Sequence, residues 1–168
     1  MNYFLALLIG FVIVQRAAEL VLSQRNEKWL RARGAYEVGR GHYPWIVTMH
    51  TAFFAALITE VIVLRRQPAT WWWIPGGVFV LAQALRYWSI ATLGRRWNTR
   101  ILVLPGRRPI DNGPYRFLRH PNYLAVAVEF VTIPLMCQAY GTAVCFSLCN
   151  AVMMSIRIRE EERALRLG

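Results

Sequence analysis

The chain alternates between long apolar runs and polar, arginine-rich segments. The first run, Tyr3 to Leu22, has 20 residues. As a helix it is about 30 Å long, enough to cross a bilayer. Further runs cover 43–64, 71–93 and 142–158. A fourth, Leu124 to Met136, reaches span length only with its flanks, giving 123–138. The pattern predicts one all-α integral membrane domain, residues 1–168, with five transmembrane helices. Trp71-Trp72-Trp73 and His42-Tyr43-Pro44-Trp45 read as aromatics at membrane boundaries. Pro75-Gly76-Gly77 is expected to loosen the start of the third span.

The polar segments carry the remaining organisation. In 23–42, Gly34, Gly39 and Gly41 are expected to break any long helix. Residues 94–123 form the longest connection and hold seven arginines: 95, 96, 100, 107, 108, 116 and 119. Interleaved Trp97, Ile101, Leu102, Val103, Leu104, Ile110, Tyr115 and Phe117 predict an ordered loop. The fifth run continues into the charged helix end Arg157-Ile158-Arg159-Glu160-Glu161-Glu162-Arg163.

Charge then sets orientation. Segments 23–42, 94–123 and 157–168 hold 16 of the 20 Lys and Arg residues. Five spans place all three on one side, which predicts an outside N-terminus, a cytoplasmic loop and a cytoplasmic C-terminus. The chain is 56% hydrophobic, yet its net charge is +11. A nucleic-acid binder that basic would carry its charge on one face, so no nucleic-acid partner is expected. Cys137, Cys145 and Cys149 have no metal-ligand partners nearby and read as packing residues; no metal site is expected. The first run lacks a basic lead-in and a small-residue cleavage site, so it does not read as a removable signal peptide.

Several spans contain polar residues, which are costly in hydrocarbon unless paired. Arg16 and Glu19 are three apart and can share a helix face. Arg86, with Gln83, lies inside the third span and must face protein or a polar cavity. Glu129 sits mid-way in the fourth and can pair with Arg86 or face a substrate. His50 reads as a satisfied interior histidine or as a base, and Glu60 as a residue reaching the far interface.

The most unusual stretch is Gly113-Pro114-Tyr115-Arg116-Phe117-Leu118-Arg119-His120-Pro121-Asn122-Tyr123. Proline favours the first position of a helix, where free N–H groups attract anions. Arg116, Arg119 and His120 flank that start. On residues alone the stretch is either an orientation signal or an anion site. Glu160, Glu161 and Glu162 suit an ammonium or a ribose hydroxyl pair, or else merely pair with Arg157 along an exposed helix end. Arginines, carboxylates and aromatics on one side suit S-adenosylmethionine, which has a carboxylate, an ammonium, a ribose, an adenine and a sulfonium.

The arrangement Gly113-Pro114-Tyr115-Arg116-x-x-Arg119-His120-Pro121-x-Tyr123, then an apolar hairpin, then Arg159-Glu160-Glu161-x-x-x-Leu165, resembles the isoprenylcysteine carboxyl methyltransferase family. Gln15-Arg16-x-x-Glu19-Leu20, Trp97-Asn98-Thr99-Arg100 and Asn122-Tyr123-Leu124 are similar to a short microbial branch, some of whose members methylate long-chain pyrones or resorcinols. The resemblance implies S-adenosylmethionine held by Tyr115, Arg119, His120, Pro121 and Tyr123, by Glu160 or Glu161, and by Leu102, Val103 and Leu104. The cofactor region would be 94–123 with 157–165. It also implies a lipophilic acceptor entering from the bilayer among membrane lipids, with S-adenosylhomocysteine as product. Many members carry a histidine before the glycine of this motif; here Pro105 to Asn112 has none. Arg16, Arg86 and Arg100 are candidates to hold an oxyanion nucleophile, with Glu129 beside them. The rival expectations are a nicotinamide-dependent membrane reductase and a non-enzymatic transporter or scaffold.

Overall fold

The computed structural model describes residues 3–107 and 109–167, with side chains through Ala164. Arg108 and the side chain of Leu165 lie outside the described residues. Five helices follow one another: α1 (Tyr3–Arg31), α2 (Tyr43–Val63), α3 (Trp73–Leu93), α4 (Pro121–Met136) and α5 (Tyr140–Leu167). Two short strands, β1 (Tyr36–Val38) and β2 (Ile101–Val103), pair antiparallel with Tyr36 opposite Val103. The helical class matches the apolar pattern. The ribbon is an addition that three-residue segments 65 positions apart do not announce.

Among the described residues three helices are long and apolar enough to cross a membrane: Tyr3–Arg31, Arg40–Val63 and Tyr140–Ala164. The count of five crossings expected from the sequence is therefore not established by length and composition. α4 has 16 residues, and α3 carries Gln83 and Arg86 in its buried face. The helices nevertheless alternate in direction. Late α1 meets the segment after α3 through Asn26 Nδ2 and the Trp97 carbonyl, 2.7 Å apart. Late α2 meets early α5, and late α5 meets early α4.

α1 runs nine residues past the expected Leu22 boundary. It ends only where Ala32, Arg33 and Gly34 fold back on its last carbonyls, with Gly34 at φ +85°. Its buried stripe explains the extension. Leu5, Ile9 and Val12 come first, then Gln15, Glu19, Ser23 and Asn26, and finally Leu30. The spacing is helical throughout; only the chemistry changes from apolar to polar. The apolar part joins Phe53, Leu57, Phe79, Phe130, Ile133 and Met136 in the core. Outward faces remain apolar, including Leu7, Phe11, Val14, Val80, Leu81, Val144, Leu148 and Val152, as lipid contact requires.

Where the stripe turns polar, charges are paired across helices. Arg86 Nε and Nη2 grip Glu19 at 2.7 and 2.5 Å. Arg16 Nη1 holds Glu19 at 2.7 Å, the pair that the i,i+3 spacing predicts, and Arg16 Nη2 bonds Glu129. Gln83 donates to Glu129 at 2.7 Å and accepts from Gln15 at 2.5 Å. Glu129 thus bonds Arg16 and Gln83, with Arg86 Nη1 farther off at 3.9 Å. The expected Glu129–Arg86 pairing is present as the longer ion pair, because Glu19 takes Arg86 in a two-pronged grip. Glu60 lies in the last turn of α2, at the end of the bundle where α5 begins. Its carboxylate accepts from the backbone N–H of Gly141 and Thr142 at 3.1 and 2.7 Å, satisfying the first turn of α5.

Removing one member of a buried ion cluster strands its partners. Glu19→Ala is expected to lower stability by about 3 kcal/mol or more, read as a fall in the thermal midpoint in detergent. Glu60→Ala, which strips only a helix start, should cost about 1 kcal/mol in the same measurement.

Candidate functional site

The loop between α3 and α4 is pinned from both ends. Ser23 and Asn26 of α1 hold its entry. Ser23 Oγ accepts from Thr99 N at 3.0 Å, and Asn98 Nδ2 donates to the Ser23 carbonyl at 2.9 Å. β2 is then locked to β1. At the exit, Gly113 has φ +56°, and a Cβ there would lie 2.5 Å from Thr92 Oγ1. Only glycine permits that conformation and that approach to α3 together. Pro114 is buried in the 3₁₀ turn Gly113–Arg116, and Pro121 opens α4 just as the His-Pro sequence predicts.

These contacts leave a cavity of about 210 Å³. Leu102, Val103, Leu104, Tyr115, Arg119, His120 and Tyr123 line it, all expected from the sequence. Glu161 enters from α5, while Trp97 and Asn122 complete the polar and aromatic wall. Arg96 and Arg107 add positive charge. Leu30 reaches in from the extended end of α1. Pro121 does not face the cavity; it is buried and serves as the first residue of α4.

The carboxylates are divided by function. Glu161 accepts from the Tyr123 hydroxyl at 2.5 Å. Glu162 lies 3.4 Å from His120 Nε2 and 3.9 Å from Arg119 Nη1. Glu160 bonds Arg163 at 3.2 Å, and of the Glu160/Glu161 alternatives Glu161 is the one that lines the cavity. The start of α4 is therefore faced by two of the chain's own carboxylates, not left bare for an anion. Arg157 makes no bond to Glu160 or Glu161, contrary to the exposed-helix reading. It is buried, donating to the Tyr123 hydroxyl at 2.8 Å and to the Thr99 carbonyl at 2.5 Å. It ties α5 to α4 and to the loop. His120 and Tyr123 stack with planes 10° apart.

Of nine buried side-chain atoms without partners among the described residues, two belong to residues that line the cavity. Asn122 Oδ1 and Trp97 Nε1 are buried, belong to cavity-lining residues and have no hydrogen-bond partner. Native structures rarely leave such groups unsatisfied. An acceptor and a donor in one wall fit the amino and ring-nitrogen edge of an adenine. Burial, and then the charge of Glu161, pushes the Tyr115 phenol up to about 12, so it is a neutral hydroxyl.

The other candidates lie elsewhere. Arg16, Arg86 and Glu129 belong to the ion cluster between α1, α3 and α4. Arg100 is held by Glu37 at 2.6 Å and lies over the Tyr43 ring at 4.2 Å. Its guanidinium is thus engaged by the ribbon, beside a small hollow shared with His42, Ile46 and Arg157. Sequence reasoning missed Asn122, Trp97 and Arg157 as site members; Glu162, named there with its two neighbours, sits against His120. The signal for Arg157 was its position four residues before Glu161 on the inward face of α5.

Residues 75–167 match the isoprenylcysteine carboxyl methyltransferase (ICMT) family. The chain belongs to that family. It is therefore a membrane methyltransferase in class. It is 48% identical over 160 residues to the "Uncharacterized protein YpbQ" of Bacillus subtilis, covering 95% of each chain. It is 28% identical over 163 residues to an "Uncharacterized protein" of Haemophilus influenzae, covering 96% of this chain and 95% of that one. A shorter likeness, 31% over 80 residues, links 46% of this chain to 36% of the "Cobalt-zinc-cadmium resistance protein CzcN" of Cupriavidus metallidurans. No solved structure matches the chain. The family match spans α3, α4 and α5 with the loop, the elements that enclose the cavity.

The ribbon makes the site acid-sensitive. Burial opposes ionisation of Glu37, but hydrogen bonds from Arg100 and Arg31 outweigh it and hold the carboxyl below its usual range. A depressed carboxylate stabilises the fold above its ordinary pKa, and that stability is lost as pH falls through the lower folded value. Hydrogen-exchange protection at 101–103 should therefore drop below about pH 4, and Glu37→Gln should flatten the dependence.

Proposed function

We propose that the chain is an S-adenosylmethionine-dependent O-methyltransferase for a lipophilic acceptor with an acidic oxygen: a carboxylate, an enol or a phenol. The observation that carries this reading is the cavity itself. The loop motif and α5 meet across it, with an unpartnered donor and acceptor in its wall.

The residues present fit the cofactor group by group. Glu161 and Tyr123 would take the ammonium, and Arg119, Arg107 or Arg96 the carboxylate. Asn122 and Trp97 would meet the adenine, against Leu102 and Leu104. When bound, the cofactor supplies an electrophilic methyl group on a positive sulfur. The protein's part is alignment and exclusion of water, and the packed loop over the cavity serves both. A nicotinamide carries diphosphate, for which two carboxylates beside the start of α4 are unfavourable. This disfavours the reductase alternative.

In this reading all five helices cross the bilayer. The cavity end, rich in arginine, faces the cytoplasm, and the N-terminus lies outside. α4 is short because its first turn belongs to the site. The acceptor's tail stays in lipid and its head enters between helices.

The test is transfer of labelled methyl from S-adenosylmethionine to a long-chain alkylresorcinol or a prenylcysteine by purified protein in lipid. Glu161→Ala and Asn122→Ala should each reduce the rate at least about tenfold through weaker cofactor binding. Glu160→Ala should leave it within about twofold. Full activity in both of the first two variants would remove the cofactor assignment.

A further inference from the structure

We infer that the acceptor's reacting oxygen is received between α1, α2 and α4, where His50 takes its proton and Arg16 holds the resulting oxyanion. This rests on the methyltransferase reading above and adds a base and an acceptor site to it.

One hydrogen bond sets the tautomer of His50. His50 Nδ1 lies 2.8 Å from the Ile46 carbonyl oxygen. A carbonyl can only accept, so the proton is on Nδ1, and in the neutral ring Nε2 is the lone-pair nitrogen. Among the described residues Nε2 has no hydrogen-bond partner. Nor is Nε2 among the polar atoms sealed in the core without a partner, so its lone pair is open to a bound group. The ring is also fixed in plane, edge-on to Phe130 with centroids 5.0 Å apart and planes at 78°. A half-buried imidazole with one nitrogen tied to the backbone and the other free is arranged as a general base.

The charged neighbours suit that role. His50 meets Phe130 of α4, and Glu129, the residue before it, accepts from Arg16 of α1; with Arg157 of α5 these are the charged groups around the ring. Arg16 is the most accessible member of the ion cluster, with its side chain 20% exposed against 8% or less for Glu19, Arg86 and Glu129. Its terminal nitrogens each bond one carboxylate, which leaves further N–H donors on a guanidinium already fixed in place. Placement relative to the cofactor cavity is consistent. Phe130 follows Tyr123 by seven residues, two turns or about 10 Å along α4. Arg157 of α5 bonds Tyr123 in the cavity wall.

The acceptor's O–H bond breaks and its proton goes to His50 Nε2. An oxygen lone pair forms the O–CH₃ bond as the S–CH₃ bond of S-adenosylmethionine breaks. That bond's electron pair stays on sulfur, and the sulfonium becomes a neutral thioether. The imidazolium then returns its proton to water. A phenol, with a pKa of about 10, needs this assistance at neutral pH.

The experiment uses the full chain in phospholipid nanodiscs. It measures initial rates of labelled methyl transfer to a long-chain alkylresorcinol across pH, and S-adenosylhomocysteine binding by calorimetry. His50→Asn keeps a donor toward the Ile46 carbonyl but removes Nε2; His50→Gln is the second variant. The wild-type rate should fall in acid as the imidazole is protonated. Both variants should lose about 100-fold in kcat at neutral pH, and the deficit should shrink as alkali ionises the phenol itself. Their S-adenosylhomocysteine affinity should stay within about twofold of wild type. A deficit equal at every pH, a full rate in either variant, or loss of S-adenosylhomocysteine binding in both would overturn the role of His50. Absence of S-adenosylhomocysteine binding to the wild type would instead overturn the cofactor reading. Binding without alkylresorcinol turnover would overturn the weak-acid acceptor on which the base depends.

Discussion

A charge inside a helical bundle must find its opposite, and the Glu19–Arg86 pair is where this chain meets that demand. Arg86 spends two nitrogens on Glu19. Arg16 bridges Glu19 to Glu129, and Gln15 and Gln83 extend the network, leaving Gln15 Oε1 and Arg86 Nη1 buried without hydrogen-bond partners among the described residues. The cluster joins α1 to α3 and α4 by directional bonds instead of apolar contact. It fixes the rotation of α1, and α1 in turn presents Ser23 and Asn26 to the loop. The loop's course, and hence the cavity, follows from that rotation.

A division of the molecule results. The end of the bundle near Phe53, Phe79 and Met136 is packed with apolar side chains. The opposite end is built from hydrogen bonds between side chains and loop backbone: Asn26 to Trp97, Ser23 to Thr99, Arg157 to Thr99. Such an end can carry a water-exposed ligand while the rest of the protein sits in lipid. The ICMT family match lies over the elements that form this polar end.

Much of the architecture was legible because apolar runs of 20 residues have few alternatives. The Arg16–Glu19 pair was legible from spacing, and so was the start of α4 at Pro121. The loop residues Leu102, Val103, Leu104, Tyr115, Arg119, His120 and Tyr123 do line one cavity. What escaped depended on partners far apart in the chain. α1 was cut at Leu22 because its stripe turned polar there, although the helical period continued. The ribbon pairs Glu37 with Leu102 through backbone bonds that no side-chain pattern encodes. Arg157 could be matched on sequence only to nearby glutamates, whereas its partners are 34 and 58 residues away. The partners of Glu60 are equally remote, since the helix start it satisfies is 81 residues on.

The central claim is that the cavity is a nucleoside site for a sulfonium cofactor. Isothermal titration of the purified protein in lipid with S-adenosylhomocysteine, and separately with NADPH, tests it most directly. The account predicts saturable one-to-one binding of S-adenosylhomocysteine, weakened by Glu161→Ala, and no heat of binding for NADPH. Binding of NADPH without S-adenosylhomocysteine, or S-adenosylhomocysteine binding unchanged in Glu161→Ala, would contradict it.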